Sequence, residues 1–395
     1  MRALDLFCGA GGTSIGLKAA GYDVIAYDKW DDALETHNLN GMWAAELDLS
    51  TLTAAQWKEV WGDGEVDLLW ASPPCQGWSQ GGKHLGEDDP RNGFPWALEA
   101  IDGVRPRLVL MENVKGLTYK RNAPYLESEV MVPLRALGYT AEWRLLNCAD
   151  YGVPQRRVRT FIVARLDGDP VWPTPTHAEP PHHEYTDREP WVTMATALGW
   201  HDKQWVGFPR KDDGRASVEI EGVDYRRRDL ASSDEPAHTL TEKARSWKVY
   251  PQQLNTGGDW KKGGSRADAQ TKDPELEVAP TVRGVPSQSR WQHADGSHEV
   301  VSPEEQAVFQ SFPVEAPLPE WAHDEPAPTV STTFGSVGGR KPTGGHRNLT
   351  LAEAMILQSF PDGYEFVGTK TSRYLQIGNA CPPPMAYLLA EANRP

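Results

Sequence analysis

One cysteine stands where the chain is suited to present a reactive group. Cys75 follows the apolar run 66–70 and comes directly after two prolines, in the stretch Ser-Pro-Pro-Cys-Gln. Because the prolines fix the backbone before the sulfur, the thiol is held in place at the end of a predicted strand. A cysteine there is a candidate nucleophile, whereas the ordinary alternative is a small buried apolar side chain. The polar residues and glycine that follow favour the nucleophile.

Polar side chains near two other predicted strands could assist such a nucleophile. Glu112 follows the predicted strand 107–111, so we expect it on the same edge of a sheet as Cys75. A carboxyl group there could act as a general acid or hydrogen-bond donor, although a glutamate at a strand end can also cap a helix. Arg157 and Arg159 alternate along the predicted entry to the last strand, so they point the same way and could hold a planar, polar substrate.

A glycine-rich turn near the start of the chain predicts a cofactor site. The segment 7–12, Phe-Cys-Gly-Ala-Gly-Gly, follows one predicted strand and opens a helix. Glycines in such a turn let a ligand approach the backbone, and the pattern fits NAD, FAD or S-adenosylmethionine (SAM). No Walker lysine follows, which excludes a P-loop. Asp28, near the end of the second predicted strand, is a candidate for binding ribose hydroxyls.

These groups need a scaffold that brings strand ends together, and the first part of the chain predicts one. Helix 13–20 ends at Gly21, a natural C-cap. Strands that alternate with helices are typical of a doubly wound α/β sheet, which binds ligands at the carboxyl ends of its strands. The predicted strands are 3–7, 23–27, 66–70, 107–111, 141–146 and 159–165.

The composition changes after Pro170, where proline, glycine, tryptophan and histidine become frequent. Cations lie among tryptophans in this region, which suits contact with phosphates and bases, although a solvated loop surface is an equally good interpretation. These residues are Arg226, Arg227, Arg228, Lys243, Arg245, Lys248, Lys261, Lys262, Arg266, Arg283 and Arg290, with Trp247, Trp260 and Trp291 between them.

Two loose repeats occur in the second half of the chain, and we favour duplication over chance as their origin. A turn leading into a short strand is predicted at 234–240, 279–282 and 324–330. A capped helix that stops at a proline is predicted at 302–313 and again at 350–361.

Composition limits the class of protein. The chain has 395 residues, a formal net charge of −15 and four scattered cysteines, which indicate neither a zinc site nor a disulfide framework, so no metal is expected. No apolar run is long enough to span a bilayer and no signal peptide is recognisable, so we expect a cytoplasmic protein without a membrane partner. The acidic balance argues mildly against nucleic acid, but one basic cleft can coexist with acidic faces.

Six motifs together resemble those of SAM-dependent DNA (cytosine-5-)-methyltransferases. They stand in the family's order and span nearly the whole chain, at 5–12, 72–79, 112–114, 155–159, 357–361 and 378–380. The resemblance implies an α/β fold, namely a Rossmann-like, doubly wound sheet with a smaller, irregular target-recognition domain. Residues 1–169 would form the SAM-binding catalytic domain and 170–346 the target-recognition domain, which reads duplex DNA in the major groove. Residues 347–395 would return to the catalytic domain, and we expect a monomer.

The resemblance also implies catalytic roles on a cytosine flipped out of the duplex. Cys75 would attack C6 of the ring as a thiolate, and Glu112 would engage N3 and the exocyclic amine. C5 would then take the methyl group from SAM before its proton and Cys75 leave. Arg157 and Arg159 would contact the cytosine carbonyl and the neighbouring backbone. The segment 80–91 would be a mobile loop that closes over DNA.

The cofactor residues implied by the resemblance include one departure from the family's pattern. Lys29 and Trp30 align with a pair that is usually a ribose-binding glutamate and an apolar residue. Either Asp28, which precedes them, takes over that role or the ribose is held differently, and a lysine there could favour a cofactor other than SAM. Phe7 would pack against adenine, Asp48 would meet its amino group and Asn379 would lie near the amino-acid end. The complete set is Phe7, Gly9, Gly11, Asp28, Lys29, Trp30, Asp48, Pro74 and Asn379.

Two further sequence features fit this reading. The sheet begins a few residues after Met1, and the apolar helix expected after the prolines 382–384 could return to cover that flank, as it does in the family. Trp78 replaces the commoner phenylalanine after the nucleophile, and the helix near Thr350 lacks a basic residue often found there.

Three alternatives remain beside this reading. A cysteine hydrolase lacks a histidine in a matching motif, since the nearest one, His84, stands on a predicted loop. An RNA cytosine methyltransferase would share the fold, but the long region between the 155–159 and 378–380 motifs favours DNA. A catalytically dead DNA-binding regulator would be expected to lose Cys75 or Glu112, and both are present. The same residues suit a restriction–modification partner, an orphan regulator or phage self-protection.

Overall fold

The structure is a computed structural model. It describes residues 1–61, 64–74, 89–180, 187–200, 204–207, 218–220, 223–225, 230–240, 244–245, 247–251, 290–292, 298–300 and 347–394. Several predictions lie outside these residues: Cys75, Trp78, the loop segment 80–88, the helix 302–313 and the repeats at 279–282 and 324–330.

The described residues form short strands and helices that alternate in the first half of the chain. The strands are β1 (Arg2–Leu6), β2 (Asp23–Asp28), β3 (Ala44–Glu46), β4 (Leu68–Ala71), β5 (Leu108–Val114), β6 (Thr140–Asn147), β7 (Gln155–Arg156), β8 (Val158–Arg165), β9 (His177–Ala178), β10 (Glu189–Pro190), β11 (Gln204–Gly207), β12 (Val218–Ile220), β13 (Val223–Tyr225), β14 (Leu230–Ser232), β15 (Ala237–His238), β16 (Lys248–Pro251), β17 (Arg290–Gln292), β18 (His298–Val300) and β19 (Arg347–Asn348). The helices are α1 (Gly12–Ala19), α2 (Asp31–Leu39), α3 (Ala54–Trp61), α4 (Phe94–Val104), α5 (Ala123–Tyr125), α6 (Val132–Ala136), α7 (Met194–Leu198), α8 (Leu351–Leu357), α9 (Lys370–Asn379) and α10 (Pro383–Ala392). None of these helices is long and apolar enough to cross a membrane.

Seven strands form the central sheet, in the order β3-β2-β1-β4-β5-β8-β6. The first five of these run parallel to one another, whereas β8 is antiparallel to both β5 and β6. The strand order reverses between β1 and β4, which is where ligands bind in sheets of this kind. The predicted α/β doubly wound sheet is confirmed.

Two predicted strand ends were wrong, and both bear on the site. Strand β1 ends at Leu6, so Phe7 lies beyond it in the turn. Strand β5 does not stop at Met111, because its pairing with β8 continues to the pair Val114–Arg159. The sequence had suggested that Glu112 comes after the end of the strand, but in the structure it lies within β5.

The regular alternation predicted for the arginine segment where it enters the last strand is interrupted in the structure. Residues Gln155 and Arg156 form β7, which pairs with β15 outside the central sheet. The backbone N–H of Arg157 donates to the carbonyl of Gln155 at 2.8 Å, a tight turn that interrupts the strand. Only from Val158 does the chain enter the central sheet as β8.

The sheet is covered on both faces by apolar side chains. One core cluster includes Trp57 of α3, Phe94 of α4 and Met131 of the π-helical turn that joins α5 to α6, and all three are fully or almost fully buried. The other cluster includes Leu17 of α1 and Leu389 of α10. Burial of such side chains is the main force that holds sheet and helices together.

Helices α1 and α10 approach each other closely because of a glycine. A Cβ atom placed on Gly16 would lie 2.4 Å from the carbonyl oxygen of Pro383 and 2.7 Å from the Cβ of Ala386. No real side chain fits such distances, so only glycine allows the last helix to lie on the first. Helix α10 thus covers α1 next to β1.

A second sheet, of order β14-β11-β16-β19, contains residues from the composition-shifted region and from the C-terminal part. Trp247, just before β16, is 3% exposed and packs in a cluster that also contains Leu357 and Tyr374. The interpretation that this tryptophan stacks on nucleic-acid bases is therefore wrong, because its ring is part of a core. Helix α8 starts with the predicted capping box, in which Thr350 and Glu353 satisfy each other's backbone N–H groups.

Candidate active site

The glycine-rich turn forms a tight cradle between β1 and α1. Phe7, Gly9 and Gly11 all have positive φ angles, of 58°, 51° and 89°. Gly11 is also closely surrounded, because a Cβ there would lie 2.8 Å from the Tyr364 hydroxyl and 2.5 Å from the end of the Met42 side chain, so both side chains would have to shift. A positive φ is strained for Phe7, so the surrounding turn must hold it.

Asp28 anchors this cradle. Its Oδ2 accepts a hydrogen bond from the Gly9 N–H at 2.8 Å, and its Oδ1 accepts from the N–H groups of Lys29 and Trp30 at 2.7 and 3.0 Å. Burial raises the pKa of the Asp28 carboxyl, although these three donors oppose the shift. Each carboxylate oxygen can accept two bonds, so Oδ2 retains capacity for a ligand hydroxyl.

Two predicted cofactor residues, Phe7 and Lys29, meet at a tryptophan that the sequence analysis missed. The Phe7 ring stacks on Trp96, with centroids 6.4 Å apart and planes inclined by 29°. The Lys29 ammonium lies 5.8 Å from the centroid of the same indole. A Cβ on Gly93 would lie 2.8 Å from Phe7 and 2.9 Å from Pro74, so this glycine allows the close approach. An aromatic residue just after a Gly-Phe-Pro helix start was the signal that could have identified Trp96.

Asp48 lies on the surface and has a local partner. Its carboxylate caps a short 3₁₀ turn by accepting from the Ser50 N–H at 3.0 Å and the Ser50 hydroxyl at 2.7 Å. These hydrogen bonds, with a smaller effect of Lys29, lower the pKa of Asp48. The Asp48 carboxylate is thus exposed, its orientation is fixed by Ser50, and it interacts electrostatically with Lys29.

A buried polar chain lies beneath the glycine-rich turn. The Ser14 hydroxyl donates to Asp5 Oδ2 at 2.6 Å, and His37 Nε2 lies 3.0 Å from the same hydroxyl. Burial raises the pKa of Asp5 to about 7 and lowers the pKa of His37 to about 4. Desolvation therefore favours the uncharged form of both side chains. Sequence reasoning did not single out this chain, because its three members come from three elements.

Glu112 and Arg159 form an ion pair at the other side of the switch point. In the β5–β8 ladder Glu112 is opposite Phe161 and Arg159 is opposite Val114, so the two side chains are diagonal neighbours on one face. Arg159 Nε lies 3.0 Å from Glu112 Oε1, with side-chain exposures of 12% and 8%. The contact falls short of hydrogen-bond geometry, which leaves that carboxylate oxygen able to accept another donor.

Arg157 lies deeper and contacts a different segment. It is 1% exposed, and its Nη1 donates to the Gly378 carbonyl at 3.0 Å. Burial and the neighbouring Arg159 lower the pKa of Arg157 to about 10, so it is still charged at neutral pH. Asn379, the next residue after its acceptor, is exposed at the end of α9.

The chain enters the segment that contains Cys75 beside this ion pair. The Asn113 side-chain amide donates to the Pro73 carbonyl at 3.2 Å, so the turn before the predicted nucleophile is tied to the strand that carries Glu112. Cys75 itself lies outside the described residues. Of the predicted loop 80–91, the described end begins at Asp89, which is 4% exposed and pairs with Arg91. Loop closure stays a prediction.

The three other cysteines are poor nucleophiles. Cys8, Cys148 and Cys381 are buried, and burial raises the pKa of each thiol, in the case of Cys148 to about 12. Since only a thiolate attacks effectively, none of them is suited to catalysis near neutral pH. Within the part of the chain that the structure describes, no group of three or more histidine, cysteine or acidic side chains could hold a metal ion.

Comparison with known proteins places the chain in a family. The family model of the C-5 cytosine-specific DNA methylase matches residues 1–393. Type II methyltransferase M.AplI of Arthrospira platensis is 29% identical over 395 residues, covering 98% of this chain and 84% of its own. Type II methyltransferase M1.HphI of Haemophilus parahaemolyticus is also 29% identical, covering 98% and 85%.

Solved structures show the same fold at lower identity. The Entamoeba histolytica methyltransferase EhMeth superimposes with a TM-score of 0.55 and 13% identity, covering 99% of this chain and 97% of its own. The Dnmt2 methyltransferase of S. pombe gives a TM-score of 0.50 and 18% identity, covering 99% and 98%. The family match, which spans nearly all of the sequence, shows that this chain belongs to the C-5 cytosine-specific DNA methylases and is an enzyme of the DNA (cytosine-5-)-methyltransferase class.

Proposed function

We propose that this protein transfers a methyl group from SAM to C5 of a cytosine flipped out of a specific duplex DNA site, through a covalent bond between Cys75 and C6. The observation that carries the proposal is the gathering of Glu112, Arg159 and Arg157 at one sheet edge, beside the turn that leads into Cys75. A carboxylate, two guanidinium groups and a thiol suit a planar base with both donors and acceptors on its rim.

The proposed sequence of steps uses these groups in turn. The Cys75 thiolate adds to C6 while Glu112 bonds the N3 and exocyclic amine edge, which stabilises the charge that builds up on the ring. C5 then acts as the nucleophile toward the methyl group. Loss of the C5 proton to a water molecule restores the double bond and expels the Cys75 thiolate, and the cofactor that has given up its methyl group would leave as the neutral thioether. Arg159 contacts the cytosine carbonyl and aligns Glu112, whereas buried Arg157, predicted to contact the base or its neighbouring backbone, holds the Gly378 carbonyl of the protein beside Asn379.

The cradle between β1 and α1, together with the neighbouring side chains of β2 and α4, has the features that SAM requires. The stacked Phe7 and Trp96 rings offer an aromatic surface for adenine, and the turn at Gly9, where a Cβ would meet nothing within 4 Å, leaves room for a ligand beside the backbone. Asp28 has a free acceptor site for a ribose hydroxyl, which supports Asp28 and not Lys29 in that role. We assign Asp48, Trp30 and Pro74 to the same site, because Asp48 is close enough to Lys29 for their charges to interact, the Trp30 N–H donates to Asp28 and Pro74 lies beside Gly93. Exposed Asn379 would meet the amino-acid end. When bound, SAM supplies the electrophilic methyl group.

We propose the same division of the chain as the sequence suggested. Residues 1–169 form the catalytic domain, 170–346 read the DNA sequence, and 347–395 complete the catalytic domain, in a monomer. The type II names of the relatives support a role in restriction–modification. The packing of α10 on α1 supports the return of the C-terminal segment.

Methylation sequencing tests this function most directly. A plasmid expressed with this chain in a host without cytosine methylation should carry 5-methylcytosine at one recurring sequence, detected by bisulfite conversion. The Cys75→Ala variant should give no methylation and still bind DNA that contains that sequence. Duplexes with 5-fluorocytosine at the site should trap a covalent complex with the unaltered protein and not with the variant. Methylation by Cys75→Ala at more than about 1% of the normal rate would contradict the assigned nucleophile.

A further inference from the structure

Two buried glutamines join the arginine segment to the residues around Asn379. Gln155 and Gln358 are both 0% exposed. Gln155 Nε2 donates to Gln358 Oε1 at 2.7 Å and to the Leu357 carbonyl at 3.1 Å. Gln358 Nε2 in turn donates to the Ala380 carbonyl at 2.5 Å. The chain of bonds thus runs from β7 through the end of α8 to the residue that follows Asn379.

The direction of both amides is determined by their surroundings. Gln155 Oε1 accepts from the Leu240 N–H at 2.9 Å, a group that can only donate. The opposite end of the same amide faces two oxygen acceptors, so it must be the NH₂ end. Gln358 then presents its oxygen to Gln155 and its NH₂ to Ala380. A flip of either amide would set oxygen against oxygen at one of its ends and N–H against N–H at the other.

Asn379 lies between two carbonyl groups that are both held by this region. The Gly378 carbonyl accepts from Arg157, and the Ala380 carbonyl accepts from Gln358. Fixing both neighbours restricts the backbone of Asn379, whose own side chain is exposed at the end of α9. We infer that Gln155 and Gln358 are positioning residues that hold the Asn379 side chain in the direction needed to bind the amino-acid end of SAM.

This inference rests on the proposed function, since it assumes that Asn379 contacts SAM. Neither glutamine touches the ligand in this arrangement, so their effect on affinity must pass through Asn379. A double-mutant cycle detects that dependence, because two changes that act through one contact are not additive. A purely structural role would instead add its effect to that of Asn379→Ala.

The experiment measures SAM binding directly by calorimetry, in the full-length protein and without turnover. Gln358→Leu keeps the side-chain volume and removes the bond to Ala380, so we expect about tenfold weaker SAM binding. In the Asn379→Ala background the same substitution should change SAM affinity less than about twofold. Affinity for duplex DNA should stay within about twofold, because Gln358 is fully buried and its side chain cannot contact DNA.

A matched control is available in the same helix as Asn379. Gln376 is 1% exposed and donates to the Val367 carbonyl at 2.9 Å, outside the glutamine chain. Gln376→Leu should lower the melting temperature but leave SAM affinity within about threefold, and its effect should add to that of Asn379→Ala. If Gln358→Leu does not fold, Gln155→Met tests the same chain from its other end, with the same expected non-additivity.

The outcomes separate this inference from the proposed function. Unaltered protein that binds SAM, together with a Gln358→Leu variant of unchanged affinity, overturns the positioning role alone. The same holds if the effects of Gln358→Leu and Asn379→Ala multiply. Unaltered, folded protein that does not bind SAM at all overturns the proposed function and the inference with it.

Discussion

The cofactor cradle and the Glu112–Arg159 edge are built in opposite ways. In the cradle, Asp28 holds Gly9 across 19 residues of sequence, with one helix between them. At the other edge, Arg157 reaches Gly378 across 221 residues and Gln155 reaches Gln358 across 203. The first arrangement follows from a local strand–turn–helix pattern, whereas the second exists only when distant segments have folded together. Substitutions where distant segments of the chain meet should therefore lower the free energy of unfolding more than substitutions within one local segment.

The largest effect is expected at Gly16, where the first helix meets the last. Gly16→Val places a branched side chain against the backbone of α10, so that helix must move away and uncover apolar surface. We expect the free energy of unfolding to fall by about 4 kcal/mol or more, measured by urea denaturation. Lys18→Ala, on the exposed side of the same helix, should change it by less than about 0.5 kcal/mol. A loss below about 1 kcal/mol for Gly16→Val would mean that the two helices separate easily.

The next effect concerns the buried chain beneath the cradle and depends on pH. The pKa of Asp5 is about 7 in the folded protein, above the value of about 4 in an unfolded chain. Folded protein therefore binds this proton more tightly, and the stability that Asp5 contributes is present below about pH 4 and is lost as the pH rises through 7.

Asp5→Asn removes this loss. We compare the free energies of unfolding of the variant and the unaltered protein, measured by denaturant titrations at each pH. The difference should shift in favour of the variant by on the order of 3–4 kcal/mol as the pH is raised from 4 to 8. His37 contributes in the opposite direction, since its pKa is lowered to about 4, but it is present in both proteins. A difference in stability that does not vary with pH would show that Asp5 is ionised throughout.

Within the long-range edge, a smaller effect is expected from Arg159→Lys. Lysine keeps the charge but lacks the planar fork that can hold Glu112 and a base carbonyl together, so kcat should fall about tenfold. Arg165→Lys is the matched control, because Arg165 lies at the far end of the same strand and pairs with Asp167. It should leave kcat unchanged, and an equal loss in both variants would indicate a general effect on β8.

The smallest effect is expected at the departure from the family's pattern. Lys29→Ala removes the ammonium from Trp96 and should weaken SAM binding less than about threefold, since an exposed cation–π contact contributes about 0.5 kcal/mol. Trp96→Ala should weaken it about tenfold through loss of the surface that stacks with Phe7. Lys370→Ala removes a similar contact, at 6.0 Å from Tyr374, and should leave SAM binding unchanged. A larger loss for Lys29→Ala than for Trp96→Ala would assign the lysine a direct contact with the cofactor.

The contrast between the two regions also explains what the sequence could predict. The strands at 23–27 and 159–165 and the helix at 13–20 agree with β2, β8 and α1 to within one residue, because apolar runs and glycine stops are local signals. The end of β5 was predicted three residues early, since Glu112 and Asn113 are polar and only their pairing with β8 keeps them in a strand.

The remaining predictions were wrong where the structure depends on contacts between residues far apart in the sequence. The break at Arg157 depends on the pairing of Gln155 with Ala237, and the burial of Trp247 depends on a core shared with α8 and α9. No local sequence pattern indicates the break at Arg157 or the burial of Trp247. The motif residues Gln155 and Gln358 were recognised by resemblance, but their mutual hydrogen bond was visible only in three dimensions.

The cover that α10 gives to α1 has a consequence for synthesis on the ribosome. Leu17 buries its side chain partly against a helix that begins only at Pro383, so this patch stays open to water until the last segment has been made. At bacterial elongation rates of about 5–20 residues per second, the delay is roughly 20–70 seconds. A nascent chain is thus exposed to chaperones and to aggregation for most of its translation, and slow codons late in the message would lengthen that window.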